Sequence, residues 1–319
     1  MASSIRSSPE QNYAAESHLF PVGENPRLLQ QAVLQAVAYS DIFDYPLTAT
    51  EIHRYLMNLP VSRNEIDDIL HGGGLLPGYL SSCGDYFTLV GRETIVDTRR
   101  QREAEAHRRW PRALHYGQII ASLPFVRMVA VTGELAMDNM SPKSDIDYFI
   151  ITEPGRLWLT RLLVIAVVRY AAPRGDVICP NFLLSEHALT LDDRNLYTAH
   201  EVAQMVPIAG REVYQRLRAS NCWVDEFLPN ASQSPRSVFV AQRAGLLRRL
   251  IESTLRTQAG ARLERWEMER KIHKLTRGGL SHPEASFCPD WCKGHVDGHG
   301  ERILTRFRER WDAVEGRNQ

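Results

Sequence analysis

The chain has little cysteine, no net charge and no long apolar run, and each shortage excludes a class of protein. Five cysteines among 319 residues are too few for a disulfide framework, which favours a reducing, cytoplasmic location. The 38 basic and 38 acidic residues cancel, so the overall charge does not call for nucleic acid or a membrane surface. The remaining composition, 44% hydrophobic and 24% charged, is typical of a globular protein.

The longest apolar stretch runs from Leu157 to Ala172. It is short for a membrane span and contains Arg161 and Arg169, so we expect a buried helix and no membrane partner. The first residues lack a basic region followed by an apolar core, so no signal peptide is expected.

The N-terminal part of the chain predicts a tail and a small module. Residues 1–25 are polar and are expected to be disordered. Within residues 26–98, helical apolar spacing is followed by two capping-box patterns, Thr48 with Glu51 and Ser62 with Glu65. Two short strands around a Cys-Gly-Asp turn come next. Three helices and a hairpin are the plan of a winged helix.

The rest of the chain predicts an α+β, mostly helical, multidomain protein. A long charged helix, roughly 97–121, links the module to the next domain, residues 99–190, which continues after the helix as strand, turn, strand, helix, strand. This order predicts a small mixed sheet covered on one side by helices. Residues 191–319 are predicted to be mainly helical, with a loop rich in Cys, His and Gly near 282–300.

Two carboxylates carry the main functional signal. Asp145 and Asp147 are two residues apart at the start of an apolar strand, so they are expected to point to one face while Ile146 and Tyr148 point to the other. Carboxylates this close repel each other unless a cation lies between them, and Mg²⁺ prefers carboxylate and phosphate oxygens. Such a pair can hold two metal ions during phosphoryl-type transfer.

The stretch TGELAMDNMSPKSDIDYFIIT, residues 132–152, resembles the signature of the DNA polymerase beta-like nucleotidyltransferase superfamily, and the minimal bacterial nucleotidyltransferases in particular. The resemblance extends over residues 101–190. It implies a mixed sheet, two Mg²⁺ ions held by Asp145 and Asp147, and transfer of a nucleoside monophosphate from a nucleoside triphosphate. Gly133 matches the phosphate-loop glycine, and Ser144 precedes the first aspartate and is a further nucleotide-binding candidate.

Glu134 departs from this pattern, because the superfamily has a small residue after the glycine. A carboxylate near a triphosphate is unfavourable unless one of the two is neutralised. Three alternatives remain open. Glu134 could point away and leave backbone amides to bind phosphate, it could bind a metal itself, or the triphosphate site could be impaired.

A third carboxylate is usual in the superfamily on a later strand, and this chain has none at the expected place. The alternate positions of that strand are Val177, Cys179, Asn181, Leu183 and Ser185. Asn181 stands where an aspartate is expected; an amide can ligate a metal but cannot accept a proton as a base. Equally, Asn181 could be an ordinary polar residue that closes a turn.

The C-terminal stretch CPDWCKGHVDGHG permits two further interpretations. Its four potential ligands would suit a tetrahedral zinc ion; they are Cys288, Cys292, His295 and His299. Alternatively, the loop folds over the active site, where Lys293 would neutralise a phosphate and His295 would accept a proton. Free thiols and surface imidazoles are the simpler alternative.

The winged-helix-like module does not carry the charge that DNA binding requires. Its third helix has one arginine against Glu65, Asp67 and Asp68, and the hairpin has no basic residue at its tip. A structural, protein-docking or homodimerisation role is therefore favoured over DNA binding.

The leading prediction is a cytoplasmic, Mg²⁺-dependent nucleotidyltransferase that uses a nucleoside triphosphate and an unidentified hydroxyl or phosphate acceptor; whether Glu134 impairs the phosphate loop stays open. The alternative is a catalytically inactive nucleotidyltransferase-like sensor or scaffold, including a winged-helix transcription regulator.

Overall fold

The computed structural model describes residues 26–72, 78–236, 238–239, 245–277, 287–293 and 298–316. Within these ranges the chain forms twelve α-helices and eight strands arranged in two sheets. The predicted mixture of α and β structure is confirmed. The predicted tail, residues 1–25, lies outside the described residues. No helix in the described part of the chain combines the length and the apolar character needed to cross a membrane.

The N-terminal unit alternates helices with short strands around its own apolar core. Its elements are α1 (Pro26–Asp41), β1 (Leu47–Thr48), α2 (Ala49–Arg54), α3 (Arg63–His71), β2 (Leu80–Cys83) and β3 (Tyr86–Leu89). The strands form an antiparallel sheet in the order β1-β3-β2. Both predicted capping boxes are present, at Thr48–Glu51 before α2 and Ser62–Glu65 before α3. Strand β1 was not predicted from the sequence.

A long helix, α4 (Ile95–Ser122), connects this unit to a second sheet of five strands. The strands are β4 (Val126–Thr132), β5 (Ile146–Thr152), β6 (Ile178–Ser185), β7 (Val206–Ala209) and β8 (Trp291–Lys293). Their order is β7-β4-β5-β6-β8, with β5 and β6 parallel and the other pairs antiparallel. Two of these strands come after residue 190, in the region predicted to be helical, so the sheet crosses the predicted boundary between 190 and 191.

Helices cover both faces of the five-stranded sheet, so the prediction of cover on one side was wrong. Val129 and Val131 pack with α4 and α6 (Leu157–Ala171), whereas Met128 and Ala130 pack on the opposite face. The helices that contribute to the second face are α7 (Leu196–Gln204), α8 (Arg211–Ser220), α9 (Val224–Phe227) and part of α12 (His299–Glu315). Because β4 is apolar at both odd and even positions, each of its faces must be buried.

Buried carboxylates attach two peripheral helices, α10 (Leu246–Leu255) and α11 (Gln258–Arg277), to the sheet layer. Glu264 of α11 accepts hydrogen bonds from the amides of Trp158 and Leu159, at 2.7 and 2.9 Å. These amides lie in the first turn of α6, which has no capping side chain of its own. Glu252 of α10 accepts a hydrogen bond from the amide of Phe125, at 2.9 Å. The helices are thus held by specific polar contacts as well as apolar packing.

Candidate functional site

The connection between β4 and β5 brings a glycine against an aspartate. Thr132, the last residue of β4, pairs with Asp147 on β5, and Gly133 follows in a left-handed conformation with φ of 64°. A Cβ atom on residue 133 would lie 2.4 Å from Oδ2 of Asp147. Glycine is therefore required here twice, by the backbone conformation and by the space that the carboxylate occupies. A short helix, α5 (Gly133–Ala136), continues from this turn.

The two aspartates, which were predicted to share one face of the strand, line one cavity. Asp145 precedes β5 and Asp147 lies within it. The intervening and following residues, Ile146 and Tyr148, are fully buried in the apolar core on the other face. The Tyr148 hydroxyl donates a hydrogen bond to the carbonyl of Ala113 in α4, at 2.6 Å, which holds β5 against that helix.

Cys179 joins the carboxylate pair from the neighbouring strand. It is the parallel partner of Asp147, so its side chain projects to the same face. The thiol is hydrogen-bonded to Asp147, and the potential ligand atoms of Asp145, Asp147 and Cys179 all lie within 4.8 Å of one another. Among the described residues this is the one group of three His, Cys, Asp or Glu side chains placed to share a metal ion.

Asn181, the candidate third ligand, also lines this cavity. Its side chain is buried, and its Oδ1 atom has no hydrogen-bond partner among the described residues. The prediction of one continuous strand face from Val177 to Ser185 was wrong, however. Between the pairs Asp147–Cys179 and Phe149–Phe182 the strand β6 has one extra residue, which forms a bulge. Leu183 therefore packs in the core on the opposite face.

Glu134 is exposed at the rim of the cavity and is bound to the loop that leads into β5. Its Oε2 atom accepts hydrogen bonds from the Ser144 hydroxyl and, at 3.5 Å, from the amide of Ser141. Ser144 also lines the cavity and is hydrogen-bonded to Ser141. Glu134 and Ser144 thus hold the segment that carries Asp145, and the carboxylate stays within the electrostatic reach of Asp147.

The cavity measures about 450 Å³ and is walled by segments far apart in the chain. The end of α1 contributes Tyr39 and the turn after it contributes Phe43, while α7 contributes His200 and α12 contributes Arg306. The rings of Tyr39 and His200 are stacked, with centroids 4.1 Å apart and planes 9° apart. Burial lowers the pKa of His200 to about 3, so this imidazole is neutral, and its Nε2 atom has no hydrogen-bond partner among the described residues.

Glu201 on α7 is a fourth carboxylate in the cavity that the sequence reasoning missed. Burial raises its pKa to about 7. A signal for it was present, because Tyr197, Glu201 and Gln204 follow the i, i+4, i+7 spacing of one helix face, and all three line the cavity. On the same helix Ala199, Val202 and Ala203 are buried in the core. A polar stripe on an otherwise apolar helix marks a surface that faces a site.

The electrostatics of the cavity favour a bound cation. Burial, together with Asp145, Glu201 and Glu134, raises the pKa of Asp147 to about 8. Within the described part of the chain, Arg306 is the one arginine or lysine that lines the cavity, against four carboxylates. Its guanidinium donates a hydrogen bond to the carbonyl of Ile42, at 3.0 Å. The carboxylate oxygens, the thiol sulfur and the amide oxygen therefore form a donor set that fits a divalent ion. Such an ion would relieve the repulsion among the carboxylates.

Other predicted site residues lie away from the carboxylates. Lys293 pairs with Asp193, at 3.1 Å, and does not line the cavity, so its predicted contact with a phosphate is not present. Cys292 packs in the core on the α6 face, whereas His299 lines the cavity on the opposite face. These described ligands of the predicted zinc site are not brought together, and His295 lies outside the described residues.

Comparisons of the chain with protein-family models, with curated proteins and with solved structures found no match. The resemblance to the nucleotidyltransferase signature therefore stays a prediction.

Asp147→Asn should stabilise the protein when no divalent ion is present. The raised pKa of Asp147 means that the folded protein keeps a proton that the unfolded chain releases, so stability falls as pH rises between about 4 and 8. Asparagine carries no ionisable proton, so the variant does not lose stability in this way; at about 1.4 kcal/mol for each unit by which the pKa is raised, we expect a gain of several kcal/mol at pH 8. Urea denaturation in a chelator, from pH 5 to pH 8, measures it. Asp192→Asn, at an exposed position, is the control; parallel curves for parent and Asp147→Asn would contradict the electrostatic account.

Proposed function

We propose that this chain is a Mg²⁺-dependent nucleotidyltransferase, which transfers a nucleoside monophosphate from a nucleoside triphosphate to a hydroxyl or phosphate acceptor. One observation carries the proposal: Asp145 and Asp147 enter the same cavity directly beside the Gly133 turn. The sequence signature contains these same three residues, a glycine after one strand and two aspartates at the start of the next.

The surrounding fold supports the same proposal. A hairpin-like pair, β4 and β5, is followed by α6 and a parallel strand, β6, which places Cys179 and Asn181 beside the aspartates. In the N-terminal unit, the succession of helix, strand, two helices and two strands, with the order β1-β3-β2, supports the assignment of a winged-helix module. In α3, Arg63 is paired with Asp67, which leaves little free positive charge for DNA. We propose that the role of this module is to form one wall of the cavity.

In the proposed reaction, different residues of the cavity would bind the metal, approach the phosphate and accept the proton. Asp145 and Asp147 would hold Mg²⁺, which supplies positive charge that neutralises the triphosphate and the departing pyrophosphate. The Gly133 turn would let the backbone approach a phosphate closely, because no Cβ intervenes. Glu201, with a pKa of about 7, would accept the proton of the acceptor hydroxyl, a task that Asn181 cannot perform.

Asp145→Asn tests the function directly. We expect the variant to lose Mg²⁺-dependent pyrophosphate release by at least about 100-fold, because one anionic metal ligand becomes a neutral amide. The measurement is a screen of nucleoside triphosphates with Mg²⁺, with the fold checked by circular dichroism. Asp312→Asn, at an exposed position on α12, is the matched control. Equal turnover in Asp145→Asn and the parent would refute the assignment.

Glu201→Gln tests the proton acceptor. Since a base must be deprotonated, kcat/KM of the parent should rise with pH through about 7, and this rise should be absent from the variant. We expect kcat to fall by roughly 100-fold while the KM for the triphosphate changes little. A variant that keeps the parent's pH profile would exclude Glu201 from proton transfer.

A second candidate function is a nucleotidyltransferase-like protein without activity, and the position of Glu134 favours it. Its carboxylate is at the cavity rim beside the Gly133 turn, where a triphosphate would approach. Such a protein would act as a sensor or scaffold.

Glu134→Ser discriminates between the two functions. For an enzyme, removal of the anion should strengthen triphosphate binding by about tenfold, since even a partly screened like charge costs around 1 kcal/mol or more. Isothermal titration calorimetry with Mg²⁺ and each triphosphate measures it, with Glu226→Ser, at an exposed position, as the control. If neither the parent nor Glu134→Ser binds any triphosphate, the inactive scaffold is favoured.

A further inference from the structure

The ligand set beside the Gly133 turn includes sulfur. Cys179 lies directly opposite Asp147 in the parallel pairing of β5 and β6, and its Sγ atom is within 4.8 Å of carboxylate oxygens from both aspartates. Ligand atoms that share one tetrahedral ion, with bonds of about 2.0–2.2 Å to oxygen and about 2.3 Å to sulfur, lie roughly 3.3–3.7 Å apart. Where the three ligand atoms are at the 4.8 Å limit, they would have to approach one another by about 1 Å for one ion to contact all of them.

Packing does not account for this cysteine. Cys292, on the other face of the sheet, belongs to the apolar core, whereas Cys179 is half-buried and lines the cavity. A second observation points to a ligand at the same place. The Oδ1 atom of Asn181, two residues further along β6, is buried in the cavity wall without a hydrogen-bond partner in the described part of the chain. A buried carbonyl oxygen left without a donor is costly, and a cation would satisfy it.

Thiolate sulfur selects among divalent ions. Mg²⁺ is bound by oxygen and does not favour sulfur, whereas Zn²⁺, Co²⁺ and Cd²⁺ bind mixed oxygen and sulfur sets. We infer that Asp145, Asp147 and the thiolate of Cys179 form a site for one thiophilic divalent cation of the zinc class, with Asn181 Oδ1 as an additional oxygen donor. The thiol proton passes to solvent when the ion binds.

This inference uses the same aspartates as the proposed function and rests on it for any catalytic meaning, but metal binding can be measured without turnover. It changes the expected chemistry in one respect: the ion nearest Cys179 would not be Mg²⁺. A Mg²⁺ ion carried in by the triphosphate could still occupy a second position on the carboxylates.

Cobalt spectroscopy tests the sulfur ligand on the full chain. Co²⁺ added to the metal-free protein should produce a sulfur-to-cobalt charge-transfer band in the near ultraviolet, with one ion bound per chain. Cys179→Ser should abolish the band. Cys288→Ser and Cys222→Ser should retain the band, because neither thiol lines the cavity. Cys222 is exposed, and Cys288 tests the alternative zinc stretch. Loss of the band in Cys288→Ser but not in Cys179→Ser would overturn the inference.

A second variant, which should shift the metal preference toward Mg²⁺, keeps the inference testable if the Cys179→Ser protein misfolds. Cys179→Asp replaces sulfur with oxygen, so the ratio of Cd²⁺ to Mg²⁺ affinity should fall by at least about tenfold, since loss of even a supporting partner costs that much. Competition calorimetry measures the ratio. An unchanged ratio, or a parent protein that shows no charge-transfer band with Co²⁺, would also overturn the inference.

The two proposals fail in distinguishable ways. A charge-transfer band that depends on Cys179, in a protein that never releases pyrophosphate, would retain the metal site and reject the nucleotidyltransferase. If the parent shows no band, and turnover with Mg²⁺ alone is the same in Cys179→Ser, the nucleotidyltransferase is retained and the thiophilic metal site is rejected.

Discussion

The close contact between Gly133 and Asp147 is the constraint on which the rest of the site depends. With Oδ2 of Asp147 only 2.4 Å from where a Cβ atom would lie, any other residue at position 133 would displace the carboxylate. The contact fixes the turn after β4 and directs Asp147 toward Asp145 and Cys179. Gly133 and Asp147 therefore belong to one motif although they are fourteen positions apart in the chain, because the carboxylate leaves room for no larger residue at position 133.

The site concentrates like charge at a cost in stability. Four carboxylates line a cavity where the described residues provide one arginine, and burial raises the pKa values of both Asp147 and Glu201 toward neutrality. Apolar cores on both faces of the five-stranded sheet hold the strands in place against this repulsion. Buried groups with such shifted pKa values are typical of binding and catalytic sites, where they cost stability.

The cavity is lined by parts of the chain that are far apart in the sequence. The end of α1 stacks Tyr39 on His200 of α7, and α12 contributes Ile303 to the core of the large sheet and Val314 to the core of the N-terminal unit. The last helix thus packs across both units. One wall of the cavity therefore belongs to the N-terminal unit.

Local patterns in the sequence were sufficient for the capping boxes at Thr48 and Ser62, the hairpin β2–β3, the strand β5 and the pairing of Asp145 with Asp147 on one face, because each depends on residues only a few positions apart. The tertiary structure alone decided the rest. Pairing between distant segments added β7 and β8 to the sheet, which left Lys293 of β8 outside the site. The bulge in β6 placed Asn181 and Leu183 on opposite faces, and helix packing brought Glu201 to the site. Side-chain periodicity within one element determines which face a residue occupies, but the neighbour of that face is set by long-range packing, which periodicity does not encode.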